Sequence, residues 1–427
     1  MSDFDFDRAF AGLFRESYGR ITSVLAKEFR DLELAEDALQ EALAAAARRW
    51  PDAGIPDNAA GWLYVVARRK AIDSLRKLAR QRKRAINEQR EGSNTPATPA
   101  VAPMAGMYGI NEPPDERLSL IFACCHPGIN QSAQVALTLQ TLSGLNTSEI
   151  ASAFLVKEST ISQRIVRAKR KIKSASIPFS IPDTDQWPER LNAVLSVIYL
   201  IFNAGYLARS GGTLLKKNLC DEGIFLARML VGLLPNHSEI EGLLALFLLQ
   251  HSRRFAREKS DGSLILLKDQ DRSQWDRENI REANELLSSA RGRSPAGPYL
   301  IQAEIAAVHA RCENADKTDW NAILEHYDRL QTIHPTPVVR LNRAVAIKMA
   351  LGAEEALACL EEADLAEALR EYRYYHSTYG EILLDLGRYD QASSAFEQAL
   401  RLTENELERR HLEARRDVAR SSTPNIK

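Results

Sequence analysis

The sequence predicts an all-α protein: two small helical modules joined by a flexible linker and followed by a helical-repeat domain. Three observations predict it. Apolar residues recur at helical spacing along most of the chain, and no stretch keeps the alternation of a half-buried strand. Prolines cluster at a few places, where they divide the chain into blocks. At 427 residues the chain exceeds one ordinary core, so roughly two or three domains are expected.

Taken in order, residues 1–90 form the first module, helical from about residue 7 and broken in "WPDAGIPDNAA" by Pro51 and Pro56. Residues 91–114 are rich in Pro, Ala, Gly and Ser ("EGSNTPATPAVAPMAGMYGINEPPD" with Asp115) and read as a flexible linker. Residues 115–175 form the second helical module, and 176–190 a connector punctuated by proline ("SIPFSIPDTDQWPER"). Residues 191–427 are again amphipathic helices. Within them "LDLGRYDQASSAFEQAL", Leu384 to Leu400, has the small and large residues of a tetratricopeptide helix pair, with Gly387 at the turn. "ALGAEEALACLEEA", Ala350 to Ala363, is a weaker copy with Gly352, Ala356 and Leu360. The last domain is therefore expected to be a small solenoid.

Composition narrows the function classes. Hydrophobic residues make up 45% and charged residues 26%, which is ordinary for a globular chain. Five cysteines are too few and odd in number for a disulfide scaffold, which suits a reducing cytoplasm. The start, "MSDFDFDRAF", is acidic and lacks the apolar core of a signal peptide. The longest apolar run, Ala193 to Phe202, is about half of what a membrane-spanning helix needs. Formal net charge is −1, yet residues 1–178 hold 25 Lys and Arg against 20 Asp and Glu, and the remainder 31 against 37. A basic front on an acidic rear predicts an anion-binding module joined to something else.

The sharpest local signal is "VKESTISQRIVRAKRKIK". Six cations fall between Arg164 and Lys173 with no carboxylate among them. Ile161, Ile165, Ala168 and Ile172 line one helical face. Upstream, "NTSEIASAF" is a short helix with Asn146 at the cap and Glu149 at the capping-box position. A short connection, Leu155 to Lys157, joins them, and the pair reads as a helix-turn-helix. Ser159, Thr160, Ser162, Gln163 and Arg164 occupy the first turns of the second helix, where hydroxyl, amide and guanidinium groups read base edges. Arg167, Lys169, Arg170, Lys171 and Lys173 follow and suit phosphates.

The first module carries two further patterns. In "LELAEDALQEALAAAARRWP", Glu36, Asp37, Gln40 and Glu41 form an acidic stripe opposite Leu34, Ala38 and Leu39. In "NAAGWLYVVARRKAIDSLRK", Arg68, Arg69, Lys70, Arg76 and Lys77 form a basic surface, continued by Arg80, Arg82, Lys83 and Arg84. Cations beside aromatics hold single-stranded bases and phosphates, although Trp62, with apolar neighbours, is expected in the core.

The stretches "AEDALQEALAAAARRWP" and "NAAGWLYVVARRKAIDSLRK" resemble region 2 of extracytoplasmic-function sigma factors, and "QVALTLQTLSGLNTSEIASAFLVKESTISQRIVRAKRKI" resembles their region 4. The stretches "FACCHPGI", "VIYLIFNAGY", "KDQDRSQWD", "AAVHA", "TDW" and "LNRAVA" resemble the subgroup with a tetratricopeptide-like C-terminal extension. The resemblance implies a non-enzymatic protein that binds core RNA polymerase and directs it to promoter DNA. It implies that Glu36, Asp37, Gln40 and Glu41 dock on the clamp helices of the largest polymerase subunit. Asn58, Arg68, Arg69, Lys70, Ser74 and Arg76 fall where the family reads and opens the −10 element. Residues 159–167, with Lys171, fall on the −35 reader. The extension is expected to regulate, through an intramolecular or a protein partner. A repressor or activator that binds DNA without polymerase is the alternative reading.

Other constellations carry less. Cys124, Cys125 and His126 are consecutive, so on a helix they point apart and cannot share one metal. Asp261, Asp269, Asp271 and Asp276 lack calcium-loop spacing. No cofactor, metal site or catalytic residue is expected, and the protein is expected to be cytoplasmic.

Overall fold

A computed structural model describes residues 3–89, 115–154, 156–183, 185–206, 214–257, 265–293, 296–403 and 406–422. All regular structure among them is helical. The predicted linker, 91–114, lies outside the described residues except at its Asp115 border. The chain divides into two compact units, Met1–Ile201 and Phe202–Lys427. No described helix is long and apolar enough to cross a membrane.

The first unit starts with α1 (Asp3–Phe29), α2 (Leu32–Ala53) and α3 (Ala59–Gln89). Asp31 caps α2 by accepting a hydrogen bond from the Leu34 amide, and Asn58 does the same for α3 from Gly61. The inner face of α2 buries Leu32, Ala35, Leu39, Leu43, Ala46 and Trp50, each large apolar side chain contributing about 1.5–3 kcal/mol. Trp62 is only half-buried and packs its ring on Trp50 at 5.2 Å. Next come α4 (Arg117–Cys124), α5 (Gln131–Ser143), α6 (Thr147–Phe154) and α7 (Glu158–Ser174).

The two sequence modules do not stand apart. α1 packs on both α4 and α5, and the approach is close enough to require a glycine. A Cβ on Gly19 would lie 2.7 Å from the carbonyl oxygen of Leu142. Polar contacts join the modules around this seam: Lys27 with Glu116 at 2.8 Å, and Lys173 with Asp31 at 2.8 Å. The sequence showed a linker between two amphipathic blocks, and nothing local revealed that the blocks share a face.

α8 (Trp187–Tyr206) begins on the first unit. Trp187 packs on Phe122 at 5.2 Å, and Arg190 donates to the Phe122 carbonyl at 2.6 Å. The boundary between the units falls inside this helix, eleven residues later than the expected start of the last domain at 191.

The second unit contains α9 (Leu214–Leu233), α10 (Ser238–Ser252), α11 (Arg277–Ala290), α12 (Pro298–Arg311), α13 (Trp320–Ile333) and α14 (Pro337–Ala350). They are followed by α15 (Ala353–Leu360), α16 (Ala363–Ala368), α17 (Arg373–Asp385), α18 (Tyr389–Arg401) and α19 (Glu406–Ser422). α10 is apolar on nearly every side and is wrapped by α9, α11 and α12, as an all-round hydrophobic helix must be. Beyond it the helices pack largely as sequential neighbours. Ala392, Phe396 and Ala399 of the predicted repeat are fully buried between α17 and α19. Gly387 makes their turn at φ 68°, a conformation that costs glycine nothing.

Candidate nucleic-acid interface

Helices α6 and α7 form where the residue pattern places them. Asn146 Oδ1 accepts from the Glu149 amide at 2.9 Å, and Glu149 Oε2 accepts from the Asn146 amide at 2.8 Å. This reciprocal box fixes the start of α6. Glu158 opens α7, accepting from the Thr147 hydroxyl at 3.0 Å and favouring the positive helix start. The buried residues of α7 are Ile161, Ile165, Ala168 and Ile172, the four given by spacing. Opposite them, Ser159, Ser162, Gln163, Arg167, Arg170 and Lys171 are exposed, with Thr160 and Arg164 half-buried at the margin. Among the described residues, Arg164, Arg167, Arg170 and Lys171 have no carboxylate partner. This face can hold phosphates and reach base edges.

Two cations of the run do something else. Lys169 is turned inward and its ammonium bonds the carboxylate of Glu36. Lys173 bridges to Asp31 while remaining exposed. The expectation that Lys169 meets phosphate is therefore corrected for this conformation. Spacing explains the correction: Lys169 follows Ala168 and lies four residues after Ile165, on the edge of the buried stripe.

The same contact corrects the acidic stripe. Asp37, Gln40 and Glu41 are exposed, but Glu36 is 7% exposed. The Thr141 hydroxyl donates to one of its oxygens at 3.2 Å, and Lys169 to the other. Burial pushes the carboxyl above the usual range, against the opposing pull of the Lys169 charge. The signal was present in the sequence. Glu36 stands four residues after Leu32 and three before Leu39, which places it on the apolar side of α2.

On α3, Arg69, Arg76, Lys77 and Arg80 are exposed, beside the exposed apolar side chains of Val65 and Leu78. Arg68 is held by Glu28 at 2.8 Å, and Lys70 faces Glu41 at 3.1 Å across the α2–α3 pair. Arg76 lies 3.7 Å from Asp73. Ser74 is half-buried, and Asn58 uses its side-chain oxygen on the helix cap. The side chains of Arg82, Lys83 and Arg84 lie outside the described residues. Arg69, Arg76 and Arg80 thus share one face of α3 with Val65, and cations beside an apolar group can hold unstacked bases and their phosphates.

Cys124 and Cys125 are fully buried at the end of α4. Burial pushes both thiols up, Cys125 to about 12, so neither offers a thiolate at neutral pH. Two of the three acids of "KDQDRSQWD" serve as caps: Asp271 holds the Ser273 amide, and Asp276 holds the start of α11 together with Arg254.

Two stretches of the chain match family models. Residues 13–81, which contain α2 and most of α3, match the sigma-70 region 2 family. Residues 190–291 match a family of unknown function, DUF6596. The chain is also similar to the crystal structure of yeast Tom70, at 12% identity over 91% of this chain and 80% of that one, with a TM-score of 0.33, too low to argue from. An uncharacterized protein of Rhizobium meliloti (strain 1021), R00370, is 42% identical over 92% of each chain. The chain therefore belongs to the family of that Rhizobium protein, and it carries a sigma-70 region 2 domain ahead of a long helical extension.

Proposed function

We propose that this protein is a cytoplasmic, extracytoplasmic-function-type sigma factor that binds core RNA polymerase, recognises −35 and −10 promoter elements and starts transcription. The observation that carries the reading is the sigma-70 region 2 domain, in which the exposed acids of α2 lie beside the cationic face of α3. In this reading Asp37, Gln40 and Glu41, joined by Glu36, dock on the clamp helices of the largest subunit. Arg69 and Arg76, with Arg68, Lys70, Ser74 and Asn58, hold the −10 strand. Ser159, Thr160, Ser162, Gln163, Arg164, Arg167 and Lys171 read the −35 duplex. Opening the promoter involves no covalent step: unstacking bases costs a few kcal/mol each, and contacts with polymerase and phosphates offset it. The helical extension acts as a regulator.

The closed first unit gives this reading a mechanism. Glu36 sits under α7 with Lys169 as its partner, so the complete docking surface is available only when the two modules separate. Binding to polymerase then draws on the free energy needed to open the seam.

The test is transcription in vitro with purified core polymerase. Promoter-specific transcripts that require the protein are the expected result. Reversing Asp37 and Glu41 to Arg should abolish them while leaving the seam intact, because both side chains are exposed. A protein that binds its DNA target tightly without polymerase, and yields no transcript with it, is a conventional regulator instead.

A further inference from the structure

The motif "KDQDRSQWD" has a use that the capping acids do not explain. Arg272 is 4% exposed and Trp275 is 3% exposed. Nη1 of Arg272 donates to the carbonyls of His309 at 2.7 Å and Cys312 at 3.1 Å, which anchors the end of α12. Its Nε is buried with no acceptor. The guanidinium of Arg272 stands 5.1 Å from the centre of the Trp275 ring, and that of Arg253, at the end of α10, stands 5.8 Å from the same ring. Arg253 donates to the Tyr206 hydroxyl at 2.7 Å and to the side chain of Gln250. Its Nε, the Trp275 indole nitrogen and Nδ1 of His309 are likewise buried without partners.

Two guanidinium groups thus share one buried indole, and no carboxylate bonds either of them among the described residues. The neighbouring acids are already engaged: Asp276 with Arg254 at 2.8 Å, and Asp271 with Ser273 and Gln274. Buried charges are ordinarily paired and buried donors ordinarily bonded. Desolvation and the charges of Arg253 and Arg272 push His309 down to about 4, so its ring is neutral and adds no third positive charge. Fixed guanidinium N–H groups with an indole N–H match the oxygens of a carboxylate or phosphate.

We propose that Arg253, Arg272, Trp275 and His309 form a binding site for a small-molecule oxyanion carrying a carboxylate or phosphate group. The site lies wholly in the second unit and does not depend on the sigma-factor reading. The test is calorimetric titration of the full chain with inorganic phosphate, pyrophosphate and succinate at constant ionic strength, with thermal melting in parallel. At least one anion should bind saturably, one per chain, and raise the melting temperature. Binding of phosphate or pyrophosphate alone assigns a phosphate ligand, and of succinate alone a carboxylate. Arg253→Gln, at a partly exposed position, should weaken that binding by about tenfold or more, the loss expected for one charge-assisted hydrogen bond. Trp275→Phe keeps an aromatic side chain but removes the indole N–H together with the five-membered ring. It should weaken binding, while the anion-free melting temperature falls by the cost of the smaller buried side chain. The proposal is overturned if none of the three anions binds saturably up to about 10 mM, a very weak affinity, or if Arg253→Gln binds as the parent does.

Discussion

Lys169→Met is the substitution that most directly tests the closed seam. It leaves the exposed reading face of α7 untouched and removes the only cation bonded to Glu36 among the described residues. Glu36, 7% exposed, would keep only the Thr141 hydroxyl. Removing one partner of a buried pair costs about 3–5 kcal/mol, because the remaining charge stays desolvated. If that cost falls on closure, the open population rises by about a hundredfold or more. Glu36 has one escape, which is to take a proton. Each unit by which the pH falls makes that escape easier by about 1.4 kcal/mol.

The sign follows from linkage. The closed form raises the Glu36 carboxyl above its ordinary value of 4.5, so between the two values the closed form holds more protons than the open one. Closure is therefore favoured below that window and weakens as pH rises through it. In Lys169→Met the compensating charge is gone and the window extends upward. Hydrogen exchange read by mass spectrometry on peptides from α5 and α7 is the assay. Exchange should be faster in the variant at pH 8 and approach the parent near pH 5, after correction for the intrinsic rate. Adding Glu36→Gln should restore parental protection at both pH values, since the charge leaves with its partner. If the single variant exchanges like the parent, or the double variant stays as loose as the single, the buried pair does not hold the modules together.

Further outcomes follow from the same geometry. Gly19→Ala would gain up to about 1 kcal/mol of helix propensity in isolation. Because its Cβ would meet a backbone oxygen at 2.7 Å, it should instead lower stability by about 1–3 kcal/mol, read as faster exchange in α1 and α5. Gln163→Ala should relax base preference at one position of the promoter, by about 1–3 kcal/mol. Arg167→Ala should weaken binding on all sequences alike and reduce the salt slope by about one; both are read by titrating promoter DNA with the polymerase complex. Phe396→Ala, in a fully buried position between α17 and α19, should cost about 3–5 kcal/mol, measured by urea unfolding of the second unit's transition.

What could be read from the sequence depended on how local the cause was. The buried face of α7, the Asn146–Glu149 box and the Gly387 turn are each set by residues within a turn or two of one another, and spacing alone found them. The pairing of Glu36 with Lys169 spans 133 positions across the linker. No periodicity in either helix encodes that distance, although the place of Glu36 between Leu32 and Leu39 showed which way it faced. Charge counting erred in a similar manner. It assigned Lys169 and Lys173 to phosphates with their neighbours, whereas Lys169 turns inward and Lys173 reaches Asp31. In "KDQDRSQWD" the acids drew attention as candidate ligands, while the orphaned donors sit on the arginine and tryptophan between them.

On the proposed reading, one ionic contact links the two activities of the first unit. Glu36 belongs to the polymerase-docking stripe, and Lys169 lies on the rear of the helix that reads the −35 duplex. Any partner that binds Glu36 in the open form must favour separation of the modules, by as much as its affinity for the open form exceeds that for the closed one. Reciprocity then requires that DNA able to bind only the separated modules strengthen polymerase docking by the same factor. The coupling has a measurable limit. With Glu36→Gln and Lys169→Met together, the seam keeps its shape but loses its ionic contact, so the part of the pH dependence of polymerase affinity that lies above the ordinary carboxylate range should disappear while Asp37 and Glu41 still dock. Persistence of that pH dependence in the double variant would place the linkage on some other pair of residues.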